Sequence, residues 1–241
     1  MRISYATTCK NRLHHLRETL PVTLGNIGPD AEVVLLDYDS RDGLAEWVKS
    51  ALGGFITSGR VRYVQLADEA PWHMAKAKNV AHLLATGEVV CNLDADNWVT
   101  AEYAEWLRSV FQDGERVIAH MPRSACGGGF GSVALRMEDF IRVGGYDERF
   151  GLWGHDDCDL IDRAILGGIQ PVAAPASCAT FQRHSDDERP VAEGGTKWTS
   201  NTIQRDQSTE SLQKGIWRAN REGWGIAKVK VNFSSEILEA D

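Results

Sequence analysis

The first 120 residues alternate between short strand-like apolar runs and segments whose apolar residues recur every three or four positions. The strand-like runs cover residues 2–7, 32–37, 61–66, 89–93 and 116–120. Helical stripes lie between them, at residues 13–20, 44–51, 77–84 and 103–111. Parallel strands need such crossover helices, so this order predicts an α/β fold with an open, mostly parallel sheet flanked by helices. In such sheets, ligands bind outside the carboxyl ends of the strands.

The second half of the chain breaks this alternation. Three helices are predicted there, over residues 137–143, 156–166 and 203–221. Glycines cluster at positions 127–131, and residues 184–200 combine charge, Gly and Pro in a way that is typical of a surface loop. No repeat or linker separates two folding units, so we expect a single domain.

The composition excludes several classes of function. The 241 residues include 26 Lys and Arg against 34 Asp and Glu, for a net charge of -8, and no basic run is long enough to follow a phosphate backbone. We therefore expect no nucleic acid partner. No apolar stretch reaches the roughly 18 residues of a membrane span, and five widely spaced cysteines predict neither disulfides nor a thiolate zinc site. The sequence thus predicts a cytoplasmic protein without a membrane span.

The clearest chemical signal is a pair of carboxylates after the fourth strand-like run. Asp94 and Asp96 follow residues 89–93 directly. Because side chains alternate along an extended chain, both should leave the same face and present oxygen atoms to a hard cation or a ribose. An acidic turn in solvent would have the same pattern, so this pair alone leaves both interpretations open.

Polar residues also follow the first two strand-like runs. Lys10 and Arg12 stand at the start of the first helix, where an anion is favoured. Asp37 and Asp39 follow the second run, where a carboxylate could accept the imide N–H of a uracil against which Tyr38 could stack. Each set could equally be an ordinary helix start or a surface turn.

A lysine-bearing segment, residues 72–79, opens the helix that precedes the acidic pair. It contains Lys76, Lys78 and Asn79. Both lysines could be solvated charges on the helix, and for Lys78 we expect this exposed position.

These segments resemble, in their order, the nucleotide-binding half of family 2 glycosyltransferases of the GT-A fold. The matching segments are the acidic turn at 36–42, the helix start at 75–79 and the Asp-x-Asp motif at 94–96. The resemblance implies an α/β, Rossmann-like GT-A domain in which residues 1–120 bind a nucleotide-sugar. Residues 121–241 would bind the acceptor and carry the catalysis. It also implies that the donor is a UDP-sugar.

The second half resembles the carboxyl-terminal segment of β-1,4-galactosyltransferases and chondroitin-polymerase-like enzymes. The likeness rests on residues 143–150 and 153–163. It implies that Asp157 is the general base that takes a proton from the acceptor hydroxyl, and that Asp156 and Trp153 bind the acceptor. Retaining relatives have Asn at the position of Asp157. An amide cannot accept that proton, so the resemblance favours inversion of configuration.

The same resemblance implies a metal site and a set of donor contacts. Asp96 and His184 would bind the metal, Mn²⁺ or Mg²⁺, with the imidazole favouring Mn²⁺. The donor would be bound by Thr8, Lys10, Arg12, Asp37, Asp39, Lys76, Asn79 and Asp94.

The chain departs from the galactosyltransferase pattern at two positions. Phe181 stands where a methionine binds the metal, so we expect a more weakly held cation. His155 stands where a glycine belongs to a moving lid, so this segment should be stiffer.

The sequence therefore leads to one favoured hypothesis and three less favoured ones. The favoured one is an inverting, divalent-metal-dependent glycosyltransferase that moves a sugar from a UDP-sugar to a hydroxyl of a glycan, a small molecule or a peptide. A sugar-1-phosphate nucleotidyltransferase shares the sheet and the acidic strand ends, but residues 7–12 lack the glycine-rich loop that such enzymes need. The sequence also leaves open a retaining N-acetylgalactosaminyltransferase-like enzyme and a nucleotide-sugar binding module without turnover.

Overall fold

The computed structural model describes residues 1–68, 71–122, 130–180, 182 and 197–240 of the chain. The strands in this part of the chain are β1 (Ile3–Cys9), β2 (Glu32–Asp37), β3 (Val61–Leu66), β4 (Val89–Asn92), β5 (Val117–His120), β6 (Val133–Arg136), β7 (Gln170–Ala173), β8 (Ala227–Val231) and β9 (Leu238–Ala240). The helices are α1 (Leu13–Asn26), α2 (Leu44–Ala51), α3 (Gly53–Thr57), α4 (Met74–Leu83), α5 (Ala101–Phe111), α6 (Met137–Arg142), α7 (Asp156–Leu166) and α8 (Lys197–Gln213). These elements confirm the predicted α/β class.

The described strands belong to one mixed sheet, in the order β7-β5-β6-β4-β1-β2-β3-β8-β9. Its centre, β4-β1-β2-β3, is parallel, as the alternation of strands and helices predicts. The pairings of β6 with β4 and β5, and of β8 with β3 and β9, are antiparallel. The sequence analysis did not predict β6 to β9. These strands follow residue 120, outside the regular alternation of strand-like and helical segments on which the prediction rests.

Apolar side chains cover both faces of the central sheet. On one face Tyr5 packs with Leu16 and Leu20 of α1, and these three residues are at most 1% exposed. On the other face Val34 packs with Val80 of α4. Because both faces are covered, β2 and β4 contain the continuous buried apolar runs 33–36 and 89–91, which made these strands predictable.

Helix α4 is buried on two sides. Ala77 and Val80 belong to the cluster that covers β1 and β2. Ala75, Lys78 and His82, which recur at a spacing of three and four residues, contact α6, α7 and the residues next to them. This second buried side places polar groups in the interior of the protein and positions the candidate site.

Helix α8 replaces the helix that was predicted over residues 203–221, and it docks through polar side chains. Gln204 donates a hydrogen bond to the carbonyl of Gly154. The hydroxyl of Ser208 donates to Asp159 at 2.7 Å. Because hydrogen bonds instead of an apolar stripe hold this helix, its bounds could not be found from hydrophobic periodicity.

None of the helices in the described part of the chain is long and apolar enough to cross a membrane. Cys9, Cys91 and Cys178 are buried free thiols. Cys126 lies outside the described residues.

Candidate active site

Two carboxylates open helix α7. Asp156 and Asp157 are its first residues, and His155 precedes them with φ at 63°. The free N–H groups of a helix start favour negative charge, which accounts for the acidic first turn. Residues other than glycine rarely adopt positive φ. His155 therefore has a glycine-like backbone conformation at the position where the galactosyltransferase pattern has glycine.

A buried lysine holds the two carboxylates together. The Nζ atom of Lys78 donates to Oδ2 of Asp156 at 2.6 Å and to Oδ1 of Asp157 at 2.8 Å. The side chain of Lys78 is 3% exposed, and those of Asp156 and Asp157 are 6% and 16% exposed. The prediction of an exposed Lys78 is therefore wrong. Helix α4 is buried on two sides, and the second side carries Lys78 and His82 instead of a stripe of apolar residues.

Tyr146 completes this group, and we call Lys78, Tyr146, Asp156 and Asp157 the acid cluster. The hydroxyl of Tyr146 donates to Oδ1 of Asp157 at 3.3 Å, and Nζ of Lys78 lies 4.9 Å from the centre of the tyrosine ring. Both donors thus reach the same carboxylate oxygen. No hydrogen bond from the described residues reaches Oδ2 of Asp157.

Burial and neighbouring charges set the protonation of the acid cluster. Burial first, and then the charge of Asp156, raise the pKa of Asp157 to about 8, while Lys78 opposes the rise. Burial alone would lower the pKa of Lys78, but the charges of Asp156 and Asp157 raise this pKa well above its usual value. The lysine is therefore an ammonium at neutral pH. A carboxyl group whose pKa lies near the working pH suits proton transfer.

The turn that carries Tyr146 is held from two sides. Asn79 accepts a hydrogen bond from the backbone N–H of Tyr146 at 2.8 Å and donates to its carbonyl at 2.9 Å. Arg163, which is 1% exposed, donates to the carbonyls of Val143 at 2.9 Å and Gly145 at 2.8 Å. These bonds fix the turn against α4 and α7, the two helices that supply the rest of the acid cluster.

A segment after α8, residues 217–225, closes over the same turn, and we call it the brace. Nδ2 of Asn220 donates to the carbonyl of Tyr146 at 2.6 Å. Gly145 has φ at 61°, and a Cβ atom on it would lie 2.5 Å from the ring of Trp224. Only glycine fits between the turn and the brace at this position.

The acidic pair after β4 lies in a turn. The backbone N–H of Asn97 donates to the carbonyl of Asp94 at 3.0 Å, so residues 94–97 are not extended. The expectation that strand alternation orients both carboxylates is therefore wrong. Nδ2 of Asn92 donates to Oδ1 of Asp94 at 3.0 Å, and the side chains of Asp94 and Asp96 are both partly exposed.

Asp94 lies close to the acid cluster. Its negative charge contributes to the raised pKa values of Asp157 and Tyr146, in both cases after burial as the largest cause. The backbone of Gly131 packs directly on the Asp94 carboxylate, which a Cβ atom on this glycine would overlap. The carboxyl end of β4 and the start of α7 therefore border one site.

Asp96 is linked to the segment that precedes His184. The backbone N–H of Gln182 donates to the carbonyl of Asp96 at 2.7 Å, and the Gln182 side chain lies 2.6 Å from Nδ1 of His15. His184 and Phe181 lie outside the described residues. Within the described ranges, no group of three or more His, Cys, Asp or Glu side chains is arranged to hold a metal ion.

The ends of the first two strands lie side by side, because Cys9 is in register with Asp37. The loops after them are interlocked. Oδ1 of Asn11 accepts from the N–H of Arg41 at 2.7 Å, and the N–H of Asn11 donates to Oγ of Ser40 at 3.1 Å. The residues on these strand ends that we predict to bind the donor, and that are partly exposed, are Thr8, Lys10, Arg12 and Asp39.

Three residues with predicted donor roles are buried in the protein's own hydrogen-bond network. Asp37 is 3% exposed, and its carboxylate accepts from the hydroxyl of Tyr63 at 2.5 Å. Tyr38 is 2% exposed and donates to the carbonyl of Pro71 at 3.0 Å, so it cannot stack on a uracil as predicted. Asn79 is wholly buried against the turn of Tyr146. We therefore leave Asp37 and Asn79 out of the donor site proposed below.

The start of α4 packs against the loop that carries Trp153. The N–H of Met74 donates to the carbonyl of Gly151 at 3.0 Å. Trp153 on the loop and Lys76 on the first turn of α4 are both partly exposed. A residue predicted to bind the acceptor and a residue predicted to bind the donor thus lie on neighbouring segments.

Comparison with known families decides the class of protein. A family model described as "Glycosyl transferase family 2" matches residues 4–171, which include the carboxylates after β4 and the acid cluster. The chain belongs to glycosyl transferase family 2. This confirms the resemblance to family 2 glycosyltransferases and shows that this protein is a glycosyltransferase. A search of curated proteins by sequence gives no significant match.

Solved structures similar to this family 2 glycosyltransferase show the same fold. One is S. aureus TarS in complex with UDP, with a TM-score of 0.65, 15% identity and coverage of 92% of this chain and 67% of that chain. The complex of TarS with UDP-GlcNAc gives a TM-score of 0.67 at 16% identity, over 92% and 68% of the two chains. The mannosyltransferase PcManGT from Pyrobaculum calidifontis, in complex with GDP-Man and Mn2+, gives 0.58 at 20% identity, over 72% and 55%. These similarities confirm the GT-A fold.

Sequence reasoning missed two members of the acid cluster of this glycosyltransferase. Tyr146 lies in the segment 143–150 that resembles the galactosyltransferases, but nothing in the sequence distinguishes it from an aromatic residue of the core. Lys78 did leave a signal. By their spacing, Ala75, Lys78 and His82 lie on one side of α4. A lysine that shares a helix side with a small residue and an aromatic residue is a candidate for burial, in addition to the apolar side of the helix.

Proposed function

We propose that this protein is an inverting, divalent-metal-dependent glycosyltransferase that moves a sugar from a UDP-sugar to a hydroxyl of a glycan, a small molecule or a peptide. The acid cluster is the observation that carries the proposal. Lys78 and Tyr146 hold Oδ1 of Asp157, and Oδ2 accepts no hydrogen bond from the described residues. A partly exposed carboxylate with one open oxygen can take a proton from a substrate hydroxyl.

In this reaction Asp157 acts as the general base. Its Oδ2 atom takes the proton of the acceptor hydroxyl while the hydroxyl oxygen forms a bond to the anomeric carbon of the sugar. The bond from that carbon to the diphosphate oxygen breaks, and its electron pair leaves with the nucleoside diphosphate. Attack on the side opposite the leaving group inverts the configuration. The proton then remains on Asp157 until it is lost to solvent.

Asp156 and Trp153 support the acceptor side of the reaction. Oδ2 of Asp156 accepts from Lys78, whereas no described residue donates to Oδ1. An acceptor hydroxyl can therefore donate to this second oxygen. Trp153 lies three residues earlier and is partly exposed, and its flat apolar ring suits the face of a sugar.

The donor would lie across the carboxyl ends of β1, β2 and β4. Lys10, Arg12 and Lys76 supply positive charge for the pyrophosphate. Thr8, Asp39 and Asp94 offer hydrogen-bond partners for the nucleoside, with Asp94 nearest the ribose or the metal. Solved proteins of similar fold carry UDP, UDP-GlcNAc and GDP-Man, which supports a nucleotide-sugar donor.

The residues after β4 fit a divalent cation. Asp94 and Asp96 present carboxylate oxygens in a partly exposed turn, and oxygen ligands are those that Mg²⁺ and Mn²⁺ prefer. Asp96 and His184 would hold Mn²⁺ or Mg²⁺, with Asp94 at its outer side. A bound cation would offset the charge of the departing diphosphate. The similar mannosyltransferase was solved with Mn2+.

Sugar transfer by the purified protein tests the proposal. The protein is screened by thermal shift against UDP-glucose, UDP-galactose, UDP-GlcNAc and GDP-mannose, with and without Mn²⁺, because a ligand of the folded state raises the melting temperature. The donor that binds is then followed by UDP release and by NMR of the first product. We expect a UDP-sugar that binds with Mn²⁺ and a product of inverted configuration. A retained configuration, or binding without any donor turnover, would overturn the proposal.

A second assay of the purified protein tests for nucleotidyl transfer. The protein is incubated with UTP and a sugar 1-phosphate, and pyrophosphate release is measured. The family match favours glycosyl transfer, so we expect none. Pyrophosphate formation at a rate above that of donor hydrolysis would contradict the proposed reaction.

A further inference from the structure

Lys78 is the most deeply buried charged side chain of the acid cluster. It lies on the second buried side of α4 and is 3% exposed. Its ammonium contacts Asp156, Asp157 and the ring of Tyr146 within 2.6 Å, 2.8 Å and 4.9 Å. Contacts with the protein's own groups therefore account for the burial of this ammonium, without a contact to a bound substrate.

The ammonium offsets the repulsion between the two carboxylates at the start of α7. Two adjacent carboxylates repel each other, and a buried charge is tolerated only when it is paired and hydrogen-bonded. Lys78 donates to one oxygen of each carboxylate. The outer oxygens, Oδ1 of Asp156 and Oδ2 of Asp157, accept no hydrogen bond from the described residues.

The position of Lys78 is itself fixed by its helix. Nδ1 of His82 lies 2.7 Å from the carbonyl oxygen of Lys78, and the His82 ring stacks on Phe140 with centres 4.7 Å apart. On the next residue, Asn79 binds the turn of Tyr146. The two donors to Oδ1 of Asp157 are therefore held by one rigid helix.

We propose that Lys78 is a positioning residue for sugar transfer: with the Tyr146 hydroxyl it holds Oδ1 of Asp157, and it thereby presents Oδ2 to the acceptor hydroxyl. The inference rests on the proposed function, because it requires Asp157 to be the base. Lys78 acts through Asp157 and does not touch the reacting atoms.

Loss of the ammonium should affect both geometry and charge. The freed carboxylates would separate, and a misplacement of about 1 Å can cost 10²-fold in rate. The groups that face Lys78 are Asp156, Asp157, Asp94 and Tyr146. Lys78 is the charge that opposes the rise of the pKa of Asp157, so without it Asp157 should lose its proton only at a higher pH.

The test compares Lys78→Met, Lys78→Arg and a control, Lys49→Met, which changes an exposed lysine of α2. For Lys78→Met we expect kcat to fall about 10- to 100-fold, the midpoint of the pH–rate profile to move upward, and UDP affinity by calorimetry to stay within about two-fold. Lys78→Arg keeps a charged donor and should be faster than Lys78→Met, and the control should match the wild type. Wild-type kcat and an unmoved pH midpoint in Lys78→Met would overturn the inference.

A second comparison guards against a folding defect in Lys78→Met. The double variant Lys78→Met/Asp156→Asn has the same net charge in the cluster as the wild type. Asp157 is then the only carboxylate of the cluster, so the repulsion that the ammonium offsets is also removed. It is compared with Asp156→Asn alone. We expect the double variant to fold and to transfer sugar at least about ten times more slowly. Equal rates for the two variants would show that Lys78 serves only the fold.

The outcome is distinguishable from a failure of the proposed function. If Asp157→Asn keeps wild-type turnover, Asp157 is not the base, and the proposed mechanism and the role of Lys78 both fall. If Asp157→Asn is inactive but Lys78→Met has wild-type kcat and pH profile, the mechanism stands and the role of Lys78 alone is overturned.

Discussion

The side-chain amide of Asn79 pairs with the backbone of Tyr146 much as one β-strand pairs with another. Oδ1 accepts the N–H of Tyr146 at 2.8 Å, and Nδ2 donates to its carbonyl at 2.9 Å. Nδ2 also lies 3.1 Å from Oε1 of Glu148. Because Asn79 directly follows Lys78, the helix that carries the lysine and the turn that carries the tyrosine are fixed relative to each other. Their two donors therefore meet Asp157 in a set geometry.

Replacing the proposed base should slow turnover strongly and leave donor binding unchanged. Asp157→Asn keeps the shape of the side chain and removes its capacity to accept the hydroxyl proton, so we expect kcat to fall about 10² to 10⁴-fold. UDP binding by calorimetry should be unchanged. Asp206→Asn, at a side chain that is 67% exposed on α8, is the control and should behave as the wild type. Near-normal transfer by Asp157→Asn would exclude it as the base.

The rate should depend on pH through Asp157. As the proposed base, Asp157 works only when ionised, and its pKa is raised to about 8, so kcat/KM should rise with pH through a midpoint near 8. After burial, the charge of Asp156 is the next cause of this raised pKa. Asp156→Asn should therefore move the midpoint to lower pH, even though the maximal rate falls. An unmoved midpoint would mean that another group controls the profile.

Removing the predicted metal ligand should weaken metal-dependent donor binding. For Asp96→Ala we expect UDP affinity in Mn²⁺ to fall at least about ten-fold, since loss of a carboxylate ligand weakens the hold on the cation. The measurement is calorimetry of UDP with Mn²⁺ and again with EDTA. Asp113→Ala, at an exposed residue after α5, is the matched control. UDP affinity that responds neither to EDTA nor to Asp96→Ala would rule out this metal site.

The left-handed backbone of His155 makes a prediction about stability. His155→Gly and His155→Ala both delete the imidazole, but only glycine adopts φ near 63° without strain. We expect the glycine variant to be more stable by about 1 kcal/mol in urea unfolding. At Ser50, an exposed residue inside α2, the order should reverse, because alanine is the better helix former. The same order at both sites would contradict the strained conformation.

The amino end of the sheet predicts acid sensitivity. Glu32 is 2% exposed and accepts from Oγ of Ser4 at 2.6 Å and from the N–H of Thr86 at 2.7 Å. Burial alone would raise its pKa, but these hydrogen bonds, with Arg2, outweigh burial and lower it below 4.5. A carboxyl whose pKa is lowered on folding stabilises the fold above its unfolded pKa. That contribution is lost as the pH falls through the folded value.

Glu32→Gln should therefore cost about 1 to 3 kcal/mol of unfolding free energy at neutral pH, because the charge-assisted hydrogen bonds weaken. The difference from the wild type should shrink as the pH falls below 4.5. Denaturation curves at several pH values measure it. Glu88→Gln changes a carboxylate of the same sheet end whose side chain is 61% exposed, and it should cost under about 1 kcal/mol. A pH-independent difference for Glu32→Gln would contradict the lowered pKa.

The sequence sufficed for those parts of the fold in which local pattern and burial agree. The bounds of β2 and β3 match the predicted 32–37 and 61–66. Residues 33–36 of β2 are a buried apolar run, and Val61, Tyr63 and Val64 of β3 are buried, because the sheet is covered on two faces. Helix α7 matches the predicted 156–166, because an acidic first turn and a clear apolar side mark it.

The remaining features depend on contacts between distant segments, which local pattern does not report. The four residues of β6 become a strand only because they fit between β4 and β5. Asp37 looks like a free carboxylate in the sequence, and it is occupied by Tyr63 from the neighbouring strand. Lys78 looks like a surface charge until Asp156 arrives from 78 residues further along the chain.

The brace bears on the choice of fragment boundaries for expressing this protein. The family match ends at residue 171, and a fragment trimmed there would keep every carboxylate of the acid cluster and its lysine. It would lack Asn220, Trp224 and the strand β8 that covers the edge of β3. Such a fragment would keep the acid cluster without the segments that pack on it, and it would also lose His184, a proposed metal ligand. Expression boundaries should therefore extend past residue 231, the last residue of β8.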